Sequence, residues 1–462
     1  MTAINRRTFL ASAAAFAASP AFGQVPSSGE VDVVIVGAGA AGIAAARRVA
    51  AAGRRFALIE AGSRIGGRCV TDSRIFGAPF DIGAHWIRDA DHPLVKTAAK
   101  ANLDVYPVPP GQKIRIGARH ARESELEAFL AAQVRATRAI AEAARGKADV
   151  AAARALPKDL GEWQGTIEFA LGPFGVAKDL GDVSAVDFAR LERDSEAFCR
   201  QGYGALLAKA AEGLRVQLST PANTVQWERG LEVETPKGRI SARAIIVTVS
   251  TNVLTSGKIR FSPELPRRHL DAANRLKLGT YERIALDMPG NPLGLAPDDI
   301  VIEQSNSPNT AALLANVGRS SLCFVDIGGR FGQGIAAEGQ KAMTDFALEW
   351  LTKLYGGDVR KAVRASQATQ WLKDPLVQGG WSSAAPGAQG ARRVLMEPLR
   401  DRVYFAGEAV HETAWGTVHG AWESGERAAE AALRKMGAFK EQAKEQPKRE
   451  PRRSSGSRRR RN

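Results

Sequence analysis

The chain has 462 residues, 44% of them apolar, enough for two large domains with a sizeable core. It contains no run of 18 apolar residues, so no transmembrane helix is expected. The three cysteines (Cys69, Cys199, Cys323) are far apart, with no C-x-x-C, and the six histidines show no H-E-x-x-H, which argues against a zinc knuckle, a thioredoxin-type centre, a disulfide framework or a metal site.

In chain order the first feature is Asn5-Arg6-Arg7-Thr8-Phe9-Leu10, followed by the weakly apolar Ala11 to Ala18 and small residues around Ala21 to Gly23. This twin-arginine pattern resembles a Tat export signal. Residues 1–23 are therefore read as a signal peptide, and the mature protein is expected in a bacterial periplasm. At the other end, residues 438–462 read as a disordered basic tail. Ten Lys/Arg against three Glu between Lys440 and Asn462 supply nearly half of the formal +15. Export makes nucleic acid an unexpected partner, and a solvated tail near anionic lipid headgroups fits better.

Val31-Asp32-Val33-Val34-Ile35-Val36 reads as a buried strand that turns through Gly37-x-Gly39-x-x-Gly42 into an Ala-rich helix, Ile43 to Ala52. In a dinucleotide site these glycines allow a tight turn, close backbone approach to a pyrophosphate and close helix–strand packing, and the helix N-terminus favours the phosphates. A second strand, Arg55 to Ile59, ends on Glu60, where a ribose-binding carboxylate belongs. The motif alone does not separate NAD from FAD. The backbone of Gly37, Ala38, Gly39, Ala41 and Gly42, with Glu60 and Ala61, is the expected first half of the cofactor site.

Next come Arg64-Ile65-Gly66-Gly67-Arg68 and then Phe80-Asp81-Ile82-Gly83-Ala84-His85-Trp86-Ile87-Arg88. Gly66 and Gly67 would let the backbone pass the pyrophosphate, and Arg68 could neutralise it through paired hydrogen bonds. With the R-x-G-G-R element after an acid-terminated strand, the chain resembles the flavin-containing amine oxidase family, which includes monoamine, polyamine and L-amino-acid oxidases. That resemblance covers residues 30–436 and implies FAD. It also implies a doubly wound α/β FAD-binding domain (residues 30–89, 205–261 and 400–437) and an α+β substrate domain (90–204 and 262–399). Residues 90–204 read as largely helical, with Glu123 to Arg145 the clearest helix. Short strands follow at Thr224–Trp227, Leu231–Thr235, Arg239–Ser241 and Ala244–Val249, then Tyr281–Met288 and Leu322–Ile327, and a helix is expected from Ala336 to Leu354. Finally Phe405-Ala406-Gly407-Glu408 and Gly416-Thr417-Val418-His419-Gly420-Ala421 match the family's F-A-G-E and G-T-V-x-G-A, with a helix starting near Thr417.

The resemblance assigns roles residue by residue. Arg64, Arg68, Gly83, Ala84, His85 and Trp86 join the flavin site, and Val225 touches the adenine side through its backbone. Gly407 and Glu408 hold the ribityl chain, and Thr417 and Val418 bring a helix N-terminus to the flavin's pyrimidine oxygen. Trp381 stands where the family places one of two aromatics flanking the substrate nitrogen. The second position falls on Thr417, leaving Trp415 either to reach in or to pack. Gly380 occupies the place of the cysteine that binds FAD covalently in monoamine oxidases, so non-covalent FAD is expected. The family's lysine, which holds a water at the flavin, aligns with Arg283. Arg cannot shed its proton to serve that water, so the position implies either slow reaction with O2 or a side chain turned elsewhere. Arg88, where polyamine oxidases carry an acid, would repel polyamines; it either receives a substrate carboxylate or forms a salt bridge. His85 either accepts a proton or packs on the flavin ring. The substrate is thus an amine or amino acid oxidised by hydride transfer. A desaturase or isomerase of the same superfamily, or a flavin-binding protein without turnover, remains open, as does the oligomeric state.

Overall fold

The strand Gly29–Val36 forms the spine of an eight-stranded sheet in the computed structural model, which describes residues 29–192 and 196–437. The twin-arginine segment and the basic tail lie outside the described residues. Val33, Val34 and Ile35 are all fully buried, as expected for a parallel strand covered on both faces. On one side runs Phe56–Ile59, on the other Gly238–Val247, and beyond that Val403–Phe405, all parallel. Their register aligns Val36 with Ile59 and Val247, and Val247 with Phe405. Four carboxyl ends therefore open at one level, at Gly37, Glu60, Thr248 and Ala406, which is where open α/β sheets bind ligands. The two strands expected at Arg239–Ser241 and Ala244–Val249 are one ten-residue strand, because its first half pairs antiparallel with Glu232–Thr235 while its second half joins the parallel set.

Two helices cover this end. Ala40–Ala51 follows the glycine turn, and Val418–Lys435 packs on it so closely that a Cβ on Gly425 would lie 2.0 Å from the Ala41 carbonyl oxygen. Chain segments almost 400 residues apart in sequence thus share one wall of the sheet.

The second sheet has seven strands, in the spatial order Ala365–Ala368, Tyr281–Asp287, Leu322–Gly328, Ala312–Leu314, Ile300–Glu303, Lys113–Ile116, Arg119–His120. It is antiparallel except where Lys113–Ile116 lies parallel to Ile300–Glu303. Two expectations need correcting here. The stretch read as largely helical contains sheet strands, because Lys113-Ile114-Arg115-Ile116 alternates polar and apolar and finds an edge to extend. The helix expected over 336–354 is two helices, Gly329–Glu338 and Gln340–Tyr355, broken at Gly339 (φ +108°) rather than bounded at Gly334. Among the described residues no helix is long and apolar enough to cross a membrane.

Candidate active site

A cleft of about 1040 Å³ runs from the carboxyl ends of the parallel strands to the second sheet. Its first wall is the glycine turn. Gly37 adopts φ +102°, and a Cβ on Gly42 would sit 1.8 Å from the Gly37 carbonyl oxygen, so these two positions tolerate no side chain. The Gly66 amide donates to the Ala38 carbonyl (2.8 Å), which lays the second glycine segment beside the first. The Glu60 carboxylate accepts from the amides of Ala38 (2.8 Å) and Gly62 (2.7 Å), a fixed acid at the cleft edge. Gly37, Gly39, Ala41, Glu60, Ala61, Arg64, Gly66, Gly67 and Arg68 line the cleft, whereas Ala38 and Gly42 sit just behind it. Val225 is fully buried in the core of the first sheet and does not line the cleft; Thr220 to Asn223, immediately before its strand, do. A period-two strand turns that side chain inward.

The basic residues are engaged within the protein. Arg68 donates to the Gly380 carbonyl (2.6 Å) and to Glu408 (2.9 Å), and Arg64 donates to the Gly67 carbonyl (2.8 Å) with its guanidinium 6.0 Å from the Trp371 ring centre. Glu408, 6% exposed, accepts from Arg68, the Ser382 amide (3.1 Å), the Ser382 hydroxyl (2.8 Å) and the Gly416 amide (3.0 Å). Those four donors fill a carboxylate's usual acceptor positions. The acid therefore ties the last return of the chain to the substrate half, rather than standing free for a ribityl hydroxyl.

The opposite wall carries Gly83, Ala84, His85, Trp86 and Arg88. A Cβ on Gly83 would lie 1.9 Å from the Arg68 carbonyl oxygen, and the Ala84 amide donates to that same oxygen (2.9 Å). His85 is buried. Its Nδ1 is 2.7 Å from Asp81 Oδ2, its ring stacks on Phe198 at 4.5 Å, and its Nε2 has no partner among the described residues. Asp81 also accepts from the Tyr203 amide (3.1 Å) and the Thr71 hydroxyl, so it holds the His85 ring in place.

Arg283 is turned away from the role its alignment suggests. On the strand Tyr281–Asp287, residues 281 and 283 share one face, and the register sets Asp326 directly across from Arg283. The guanidinium grips Asp326 through Nε (2.8 Å) and Nη2 (3.0 Å) and donates through Nη1 to the carbonyls of Asp81 (3.0 Å) and Gly83 (3.3 Å), lying 4.5 Å over Phe324. Burial opposes its charge, but Asp326, with Tyr281 and Asp81, more than restores it, and the pKa stands above the ordinary guanidinium value. Arg283 still borders the cleft, yet it works as a clamp on the Asp81–Gly83 loop.

Two aromatic residues pack together on the cleft wall, and they are not the pair expected. Trp381 packs 4.8 Å from Tyr281, and a Cβ on Gly416 would come within 2.6 Å of the indole. The Tyr281 hydroxyl donates to Asp326 (2.8 Å), and burial, then the Asp326 charge, raises its pKa well above the usual phenol value. Trp415 also borders the cleft, but it is only 1% exposed, donates its N–H to the Asp187 carbonyl (3.3 Å) and carries Arg392 4.6 Å over its ring. Thr417 is the N-cap of Val418–Lys435: its hydroxyl accepts from the Gly420 amide (2.9 Å) and donates to the Ala414 carbonyl (2.6 Å). With Val418 it lines the cleft, so that helix presents its N-terminal end there. Sequence reading missed Tyr281, Phe174, Asp326 and Glu196. The first was legible from its two-residue offset to Arg283; the others come from segments with no motif.

The residues present fit an extended dinucleotide. A Cβ on Gly39 would meet no protein atom within 4 Å and would stand in the cleft, and Gly37, Gly39 and Ala40 border it at the start of a helix. Among the described residues no group of three His, Cys, Asp or Glu could hold a metal ion.

Residues 40–433 match the flavin containing amine oxidoreductase family. The chain is 27% identical over 466 residues to lysine-specific histone demethylase 1 homolog 2 of Arabidopsis thaliana, covering 90% of this chain and 61% of that protein. It is 24% identical over 440 residues to polyamine oxidase 4 of Oryza sativa subsp. japonica, covering 87% and 89%. The chain thus spans about half the length of most of the demethylase relatives it matches. In fold it is similar to cyclohexylamine oxidase from Brevibacterium oxydans IH-35A (TM-score 0.75, 20% identity, covering 88% of this chain and 100% of that one). It is also similar to wild-type putrescine oxidase bound to putrescine (TM-score 0.73, 19% identity, covering 87% and 98%). With 40–433 of its 462 residues matched, and a Rossmann-like half joined to a second mixed sheet, the chain belongs to the flavin-containing amine oxidoreductase family.

Proposed function

We propose that this protein binds FAD non-covalently and oxidises an amine or amino acid in the cleft beside the Trp381–Tyr281 pair. The observation that carries the reading is the single cleft joining the glycine turn to that aromatic pair. When bound, the flavin supplies a two-electron acceptor for the substrate's C–H hydride. The protein's part is placement. Trp381 and Tyr281 offer flat apolar faces for an uncharged amine, and the Asp81–Arg88 loop, clamped by Arg283 and Asp81, closes the opposite side. The Thr417-capped helix end favours negative charge developing near it. Gly380 has no thiol with which to form a covalent link. The names of the polyamine and cyclohexylamine oxidases among the similar proteins support an amine as substrate.

The clamp role of Arg283 supports a second element of the proposal: the reduced flavin reacts slowly with O2, and electrons pass to another acceptor. The twin-arginine pattern supports export and a periplasmic site of action. Anaerobic titration with a panel of amines and amino acids tests the activity: bleaching of the flavin absorbance by an amine is expected, and no bleaching by any of them refutes it. Rapid reoxidation of the bleached wild-type protein by air refutes the slow-oxygen element.

A further inference from the structure

The cleft also holds an ion pair that the activity does not require. From Trp381 a line of aromatic rings runs along the cleft: Tyr281 at 4.8 Å, Phe174 a further 6.4 Å on, and Trp86 at 6.5 Å from Phe174. All four border the cleft. Two residues past Trp86 in the chain stands Arg88, which also borders the cleft. Arg88 Nη1 is 3.0 Å from Glu196 Oε1. Both side chains keep about a third of their surface open (29% and 34%), and both face the cleft. The remaining acid on this wall, Glu192, is exposed, where solvent screens it.

We infer, resting on the amine reading, that the Arg88–Glu196 pair is a charge-cancelling filter at the distal end of the substrate channel. It selects amines whose far end is apolar or uncharged over diamines and over amino acids with a distal carboxylate. Each charge alone would recruit its opposite: Glu196 a second ammonium, Arg88 a carboxylate. Paired, they leave the end of an aromatic-walled channel near neutral, so a charged tail gains little there and loses hydration along the way. At an ion-pair distance and partial exposure, an unmasked charge is worth on the order of tenfold in affinity for an oppositely charged tail.

Three substrates of equal chain length separate the cases: hexylamine, 1,6-diaminohexane and 6-aminohexanoic acid. The measurements are kcat/KM from anaerobic flavin reduction and, independently, Kd from inhibition by the same three compounds at substrate-limited turnover. The wild type should favour hexylamine. R88Q should raise the diamine-to-hexylamine ratio about tenfold, and E196Q should raise the 6-aminohexanoate-to-hexylamine ratio about tenfold. R88K should keep the wild-type ratios, and the double variant R88Q/E196Q should return both to within about twofold of wild type. Ratios that stay flat in both single variants, while amines still reduce the flavin, overturn the filter and leave the amine reading standing. If none of the three compounds reduces the wild-type flavin, the filter is overturned, and the full panel of amines and amino acids decides the amine reading separately.

Discussion

Replacing Arg283 with methionine removes one partner of a fully buried pair and leaves Asp326, 3% exposed, holding a charge with the Tyr281 hydroxyl as its remaining side-chain donor among the described residues. The carbonyls of Asp81 and Gly83 lose their guanidinium donor as well. Breaking a buried pair from one side costs about 3–5 kcal/mol, because the remaining charge is uncompensated. Removing both charges in R283M/D326L leaves the orphaned carbonyls, a Tyr281 hydroxyl without its acceptor and imperfect packing, about 1–3 kcal/mol. The two substitutions should therefore be non-additive: the double variant should be more stable than R283M, with a coupling of about 2 kcal/mol or more. Urea unfolding of the flavin-loaded protein, followed by tryptophan fluorescence, measures this. Because the same guanidinium fixes the Asp81–Gly83 loop against the cleft, R283M should also lose flavin on dilution sooner than the wild type. A loss under about 1 kcal/mol in R283M, or effects that add to within about 0.5 kcal/mol, would refute the clamp.

Two further outcomes follow from single atoms. In Gly42→Ala the new Cβ meets the Gly37 carbonyl oxygen at 1.8 Å, so the glycine turn must open; the purified variant should be colourless under conditions in which the wild type is yellow, and a normal flavin content would contradict the packing argument. His419 is 5% exposed, its Nδ1 is unpartnered among the described residues, and burial, then the neighbouring His92 ring 5.8 Å away, push its pKa down to about 4 against the pull of Glu423. The unfolded chain takes up a proton at this histidine near pH 6.5, whereas the folded protein resists until about pH 4. Its contribution to stability is therefore whole above pH 6.5 and is lost as pH falls towards 4, about 2–3 kcal/mol in all. Urea midpoints at pH 7.5 and 5 should converge in His419→Phe relative to wild type; an unchanged pH slope in that variant would count against it.

The amino-acid sequence by itself determined the parts of this protein whose physics is local. The glycine turn, the acid at the end of the second strand, the N-cap at Thr417 and the apolar strand runs each act within a few residues of their own backbone. Steric limits, capping and periodicity therefore expose them in a linear reading, and the match of residues 40–433 to a flavin-binding amine oxidoreductase family accords with that reading. What partners each side chain was a different matter, because it depends on which strands lie side by side. Arg283 reads as the occupant of a lysine's place, yet a cross-strand register that no local pattern encodes sets Asp326 opposite it and makes it a clamp. Trp415, which the sequence left either to reach in or to pack, and Tyr281, to which it gave no role, are likewise sorted by tertiary contact: one ring lies beneath Arg392, while the other faces Trp381. Glu408 is drawn into four protein hydrogen bonds: one from the nearby Gly416 amide, two from Ser382, 26 residues away, and one from Arg68 near the other end of the chain. Only tertiary structure decided these contacts, because a buried charge must find its complement in three dimensions, and the chain distance to that complement carries no sequence signal.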